Sequence, residues 1–250
     1  MHVVFGQRSD LGRVRSTNQD ACLIQSLDPR GNAALLIVAD GMGGYVGGEE
    51  AARIAVETVR ERVSVHAADW AENGLIGEGL LEAIQRANKA ILQAQSLKPE
   101  WGHMGSTLTG VILWGERLFV GHIGDSKGML ISNRAAWQVT TDHNFANELW
   151  LSGQLTEEEL RHHPQRHALT RALGMEETAL IEKVETLWEE GDTLLLCSDG
   201  LSNLVPLTEI RTLSQSLPVE ELVERLVDLA NERGGSDNIT VIAARWEGKA

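Results

Sequence analysis

The sequence has little cysteine, no excess of basic charge, no long hydrophobic run and no linker-like tract, and each absence removes a class of function. Two cysteines, Cys22 and Cys197, lie in apolar stretches, which excludes a disulfide framework and reads as buried thiols in a reducing compartment. Neither fits a cysteine phosphatase, whose phosphate loop needs an arginine six positions on; Asp28 and Asn203 stand there. Lys and Arg number 22 against 36 Asp and Glu, for a formal net charge of −14. With no basic stripe to release counterions, neither nucleic acid nor an anionic membrane is expected as a partner. The longest apolar run, residues 33–39, is too short to span a bilayer, and the N-terminal Met1-His2-Val3-Val4-Phe5-Gly6 has neither the basic nor the apolar region of a secretory signal. A cytoplasmic protein is expected. No Gly-x4-Gly-Lys-Ser/Thr segment occurs, the glycines from Gly41 to Gly48 do not match a dinucleotide fingerprint, and no His-Glu-x-x-His pair offers a zinc site.

What remains is a chain of 250 residues, 42% hydrophobic and 23% charged, with no composition break, read as one globular domain over 1–250. Short segments bounded by Gly or Asp predict strands at 3–9, 21–26, 33–39, 107–114, 117–123, 128–131, 137–141, 181–186, 193–197 and 239–244. Ala52, Ala55, Val59 and Val63 recur at helical spacing, as do Leu80, Ile84, Ala87 and Ile91, and Leu222, Leu226 and Leu229 behind Pro218. Strands come in consecutive runs with helices between the runs, which favours packed antiparallel sheets covered by helices over a doubly wound parallel sheet. Residues 142–177 are polar and contain His143, His162, His163 and His167, with weak helical patterning at 145–151 and 157–160. They read as a solvated flap over the sheet edge.

The informative residues are aspartates. The apolar run 33–39 stops at Asp40-Gly41, 194–197 at Ser198-Asp199-Gly200, and 118–123 at Gly124-Asp125; Asp20 opens one strand, and Asp237-Asn238 precedes another. Any one of these is ordinary turn chemistry. Together, at the termini of buried strands, they would crowd like charges at one rim of the core, an arrangement that demands protonation or hard cations. Oxygen-only ligation suits Mg2+ or Mn2+ and gives no purchase to Zn2+.

From Gly6 to Arg245 the chain resembles the protein phosphatase 2C family, in its compact bacterial form. The resemblance rests on Ser9-Asp10-Leu11-Gly12 with Arg15 and Asn18-Gln19-Asp20-Ala21, Val38-Ala39-Asp40-Gly41-Met42-Gly43-Gly44, Gly105-Ser106-Thr107, and Gly121-His122-Ile123-Gly124-Asp125-Ser126. It continues through Thr140-Thr141-Asp142-His143, Leu169-Thr170-Arg171-Ala172-Leu173-Gly174, Leu196-Cys197-Ser198-Asp199-Gly200-Leu201, and Gly235-Ser236-Asp237-Asn238-Ile239-Thr240. It implies an α+β fold, a four-layer α-β-β-α sandwich of two antiparallel sheets flanked by helix pairs. It also implies a serine/threonine phosphatase acting on phosphorylated proteins, opposing a bacterial Ser/Thr kinase, through direct attack of a water activated by two ions, Mn2+ or Mg2+. Carried over by position, Asp40 and the Gly41 carbonyl, Asp199, Asp237 and, through water, Asp20 would hold the two ions. Asp125 with Asp199 would hold a weaker third, and Arg15 would grip the phosphate.

Three positions depart from the family pattern. Met42 stands where eukaryotic members carry a histidine proposed as general acid, which leaves a water or His167 to protonate the leaving group. Gln19 replaces an acidic neighbour of Asp20, and Lys127 replaces an arginine. Two other readings stay open: a pseudophosphatase kept for partner binding, and a two-metal esterase of small phosphate esters.

Overall fold

The computed structural model describes residues 2–29, 31–43, 47–101 and 103–248; Gly44 of the Gly41–Gly44 run lies outside them. The chain forms β1 (His2–Asp10), β2 (Asp20–Ser26), β3 (Ala33–Gly43), α1 (Gly47–Glu72), α2 (Ile76–Leu97), β4 (Met104–Ser106), β5 (Leu108–Trp114), β6 (Arg117–Ile123), β7 (Lys127–Ile131) and β8 (Ala136–Gln138). After these come α3 (Phe145–Leu151), α4 (Glu157–His162), β9 (Glu182–Leu187), β10 (Thr193–Cys197), α5 (Asp199–Ser202), α6 (Leu207–Ser216), α7 (Val219–Glu232) and β11 (Ile239–Glu247). One sheet has the order β1-β11-β10-β7-β8 and the other β2-β3-β5-β6-β9, with β4 paired to the end of β3. Every pairing is antiparallel.

The apolar runs are continuous because the central strands are covered on both faces. Along β3, Leu35, Ile37 and Ala39 pack on α1 and α2, while Ala34, Leu36 and Val38 face the other sheet. β10 divides in the same way: Leu195 and Cys197 join the cluster under α6 and α7, and Leu194 and Leu196 point between the sheets. Three apolar clusters separating four layers are the α-β-β-α sandwich expected.

Several expectations need correcting. β3 does not end at Asp40 but runs on to Gly43, exchanging its β2 and β5 partners for β4. The 137–141 strand is only Ala136–Gln138, and β4, α5 and α6 escaped notice because each is short and α6 has Pro206 and Pro218 at its ends. The 145–151 and 157–160 patterns are helices; α4 starts at a capping box between Thr156 and Glu159. Nor is 142–177 a purely solvated flap. His143, Ala146, Ala172 and Leu173 are buried, and Leu173 belongs to the core beneath α1 and α2. Cys197 is buried but Cys22 only half so, and both thiols are free.

Leu36 is fully buried between the sheets. Leu36→Ala should lower the unfolding free energy by about 3 kcal/mol, read from the urea midpoint at unchanged slope.

Candidate active site

The two sheets meet at one edge, and the aspartates arrive there from both. Asp20, the first residue of β2, is the register partner of Asp40 on β3. Asp125 sits in the turn between β6 and β7, Asp199 opens α5 directly after β10, and Asp237 immediately precedes Asn238 and β11. Asp40, Gly41, Asp125, Asp199, Asp237, Arg15 and His167 line a common cleft of about 650 Å3. Asp20 stands behind its wall. There Ser198 Oγ, from the opposite sheet, donates to Asp20 Oδ2 at 2.7 Å and accepts from Thr240 N at 3.0 Å.

Backbone bonds fix these carboxylates by way of the short motifs beside them. Asp40 N donates to Thr107 Oγ1 (2.9 Å), while its carbonyl accepts from Thr107 N (2.9 Å) and Ser106 Oγ (3.1 Å). Ser106 in turn exchanges both backbone bonds with Leu173, so the Gly105-Ser106-Thr107 segment ties Asp40 to the end of the flap. Asn238 knots the N-terminal loop: its side chain donates to the carbonyls of Leu11 and Thr17 and accepts from Gln19 N. Two glycines permit close approach. A Cβ on Gly41 would lie 2.0 Å from the Gly48 carbonyl oxygen, and one on Gly200 would lie 2.0 Å from that of Asn238.

The electrostatics follow from crowding. Burial, then the charges of Asp199 and Asp237, push Asp20 up to about 7, although bonds from Thr240 and Ser198 offset part of the rise. Asp125 is pushed to about 7 by burial, Asp199 and Asp142, with Lys127 opposing. Asp40 is driven well above the carboxylate range by burial and by Asp20, Asp199, Asp125 and Asp237. Asp20 Oδ1 and Asp199 Oδ1 are buried and find no hydrogen-bond partner among the described residues. Orphaned carboxylate oxygens, mutual repulsion and an oxygen-only donor set fit divalent hard cations.

Two further residues complete the cleft. Arg15 Nη2 lies 2.7 Å from Asp237 Oδ2, which raises the guanidinium pKa further, and the side chain is about half exposed toward the cleft. His167 Nδ1 lies 3.6 Å from Asp199 Oδ2, and that carboxylate raises the imidazole pKa against the opposing effect of burial. Met42 is at the wall, and a thioether has no proton to give.

The sequence hid the supporting residues. Gly124, next to Asp125, is held by two histidines: its carbonyl accepts from His143 N (2.7 Å) and faces His122 Nε2 (3.1 Å), and its amide donates to His143 Nδ1 (3.1 Å). His143 is therefore a buried strut and not a solvated flap residue. His122, His143 and Glu182 bring ligand atoms within 4.8 Å of one another. His122 Nδ1 bonds Thr109 and its Nε2 faces two carbonyls, while Glu182 takes both the amide and the hydroxyl of Thr141, so the group is an internal network. Lys127 pairs with Asp142 at the flap base, which Gln138 also grips at 2.6 Å. Only the neighbouring motifs pointed to these struts, because their roles depend on contacts between distant segments.

Fold and cleft together define a metal-dependent phosphoprotein phosphatase. Residues 12–242 match the protein phosphatase 2C family, and the chain belongs to it. It is 34% identical over 247 residues to the serine/threonine phosphatase stp of Listeria monocytogenes, covering 97% of this chain and 94% of that protein. A crystal structure of the Mycobacterium tuberculosis serine/threonine phosphatase PstP superimposes with a TM-score of 0.88 at 36% identity, over 98% of this chain and 99% of that one. A structure of the PstP catalytic domain in complex with two manganese ions gives 0.84 at 33%, over 98% and 99%.

In the metal-free protein Asp20 and Asp125 keep their protons up to about 7, whereas the unfolded chain releases them near ~4. Folding takes up protons between those limits. The cluster's contribution to stability is therefore complete at the acid end and is lost as pH rises through about 7. Metal-free Tm should fall more steeply between about pH 5 and about pH 8 in the wild type than in Asp125→Asn. Mn2+ should raise Tm more at the upper end, which thermal unfolding followed by circular dichroism would measure.

Proposed function

We propose that this chain hydrolyses phosphoserine and phosphothreonine in proteins by metal-dependent transfer of the phosphoryl group to water, with residues 1–250 acting as a single catalytic domain. One observation supports this most: four aspartates drawn from both sheets line one cleft beside Arg15 with a fifth, Asp20, just behind its wall, and Asp20 and Asp199 each have a buried oxygen that lacks a partner among the described residues. Asp40, the Gly41 carbonyl, Asp199 and Asp237 would hold the two core ions, Asp20 would act from behind through water, and Asp125 with Asp199 would take a weaker third. Bound Mn2+ or Mg2+ supplies Lewis-acid polarisation of the phosphoryl oxygens and lowers the pKa of water in the cleft.

The protein's own groups do the rest. Arg15 directs guanidinium donors at the phosphate oxygens, and its contact with Asp237 fixes the fork in place. Ser198 keeps Asp20 oriented from the opposite sheet. His167, whose imidazole pKa is raised by Asp199, is the side chain we assign to protonate the departing seryl or threonyl oxygen. No helix among the described residues is long and apolar enough to cross a membrane. A cytoplasmic enzyme reversing the work of a Ser/Thr kinase is the setting we infer.

Purified protein should release phosphate from a phosphothreonine peptide and from p-nitrophenyl phosphate with Mn2+, and stop in EDTA. Asp199→Ala should lose at least about a hundredfold in kcat/KM. Full turnover in that variant would refute the assigned centre, whereas wild-type inactivity at saturating Mn2+ would favour a binding role. Arg15→Lys should cost about tenfold or more, because Lys cannot reproduce a two-pronged contact.

His167→Gln separates proton donation from binding. Its kcat should fall strongly with phosphothreonine and little with p-nitrophenyl phosphate, whose leaving group departs without a proton. Equal losses on both substrates would remove His167 from that role.

A further inference from the structure

The catalytic cleft does not end at the aspartates. A recess of about 440 Å3 adjoins it beside β4, and Met42, Gly43 and Met175 line both spaces. Met104 forms its floor. Three of the chain's five methionines, Met42, Met104 and Met175, thus meet at one small site. Met104 is almost wholly buried, whereas Met175 is 49% exposed at the mouth.

The walls of this recess are stiff and its lining is pliable. Gln95 Nε2 donates to the carbonyls of Met104 (2.6 Å) and Gly174 (2.9 Å), and Asn88 Oδ1 accepts from Gly174 N (2.8 Å), so α2 pins both sides. Space for the Met42 side chain depends on Gly105, where a Cβ would stand 2.7 Å from Met42 Cε. Thioether side chains with several rotatable bonds adapt to apolar groups of different shape. Among the described residues that line the recess there is no Asp, Glu, Lys or Arg, and its ionisable side chain, His103, is exposed, so a charged group drawn past it to Met104 would lose hydration without gaining a partner there. The opposite flank differs. There a cavity sharing Asp125, His167, Asp199 and Asn203 with the cleft is lined by Lys127, Asp142, Arg161 and Arg166.

We propose that the methionine recess is a substrate subsite, which takes a large apolar side chain on one side of the phosphorylated residue while the polar flank takes the chain on the other. The inference rests on the protein phosphatase reading above, because only a polypeptide substrate extends beyond the phosphate in both directions. The position of the recess against the catalytic cleft, with three lining residues in common, is what assigns it to substrate.

The test is a set of phosphothreonine peptides in which each flanking position carries Leu, Ser or Glu in turn, assayed with Mn2+ beside p-nitrophenyl phosphate. Leu should exceed Glu by about tenfold in kcat/KM at one or two positions, on one side only. Met175→Glu should abolish or reverse that ratio, and Met175→Leu should keep it. Hydrolysis of p-nitrophenyl phosphate with a flat peptide profile would overturn the subsite alone. A preference unchanged in Met175→Glu would overturn its assignment to this recess. Failure to hydrolyse even p-nitrophenyl phosphate would overturn the phosphatase reading and the subsite with it.

Discussion

Repulsion among carboxylates that cannot move apart is the constraint on which this molecule turns. Asp20 and Asp40 face one another across a strand pair, and Asp125, Asp199 and Asp237 are brought to them by separate segments. Each would be better solvated elsewhere. What holds them is the sandwich itself, whose inter-sheet layer of Leu36, Val38, Leu194, Leu196 and their neighbours fixes where the strand ends fall. Buried apolar side chains contribute about 1.5–3 kcal/mol each, and the layer contains enough of them to tolerate a local electrostatic cost. The Ser198–Asp20 bond is where the two sheets join chemically as well as by packing.

Asp40 also shows how far the support for one carboxylate of the cluster reaches. Its amide and carbonyl are taken by Ser106 and Thr107, Ser106 is paired with Leu173, and Leu173 closes the segment that begins at the Lys127–Asp142 pair. A net bond is worth about 0.5–1.5 kcal/mol, so no single link is decisive. Their series arrangement matters more, since Leu173 bears on the backbone of Asp40 through Ser106. The two ends of the flap segment are thus tied to the strands that carry the acidic cleft.

The sequence showed the chemistry better than its scaffolding. The aspartates were legible because carboxylates beside glycine at the ends of apolar runs are incongruous, and the two-faced burial of β3 and β10 announces itself as uninterrupted hydrophobicity. Asp40 lies in the cleft but not at a strand end: apolarity stops there, yet the strand continues, because β4 supplies new partners that no local pattern reveals. His143 looked like a flap residue because it lies in a polar stretch, and only the return of the chain beneath Gly124 makes it a buried strut. The knots made by Asn238 and Ser198 bridge residues more than a hundred positions apart. A reading of local periods has no access to such pairs.

The pairing of β1 with β11 carries a consequence for synthesis. On the ribosome the first strand waits without its partner until the last has been made, and Asp237 is delivered only just before that moment. A nascent chain carrying Asp20 and Asp40 thus lacks part of the acidic cluster until Asp237 and β11 have been made. A chain stopped before Asp237 lacks that carboxylate and leaves β1 without its sheet neighbour.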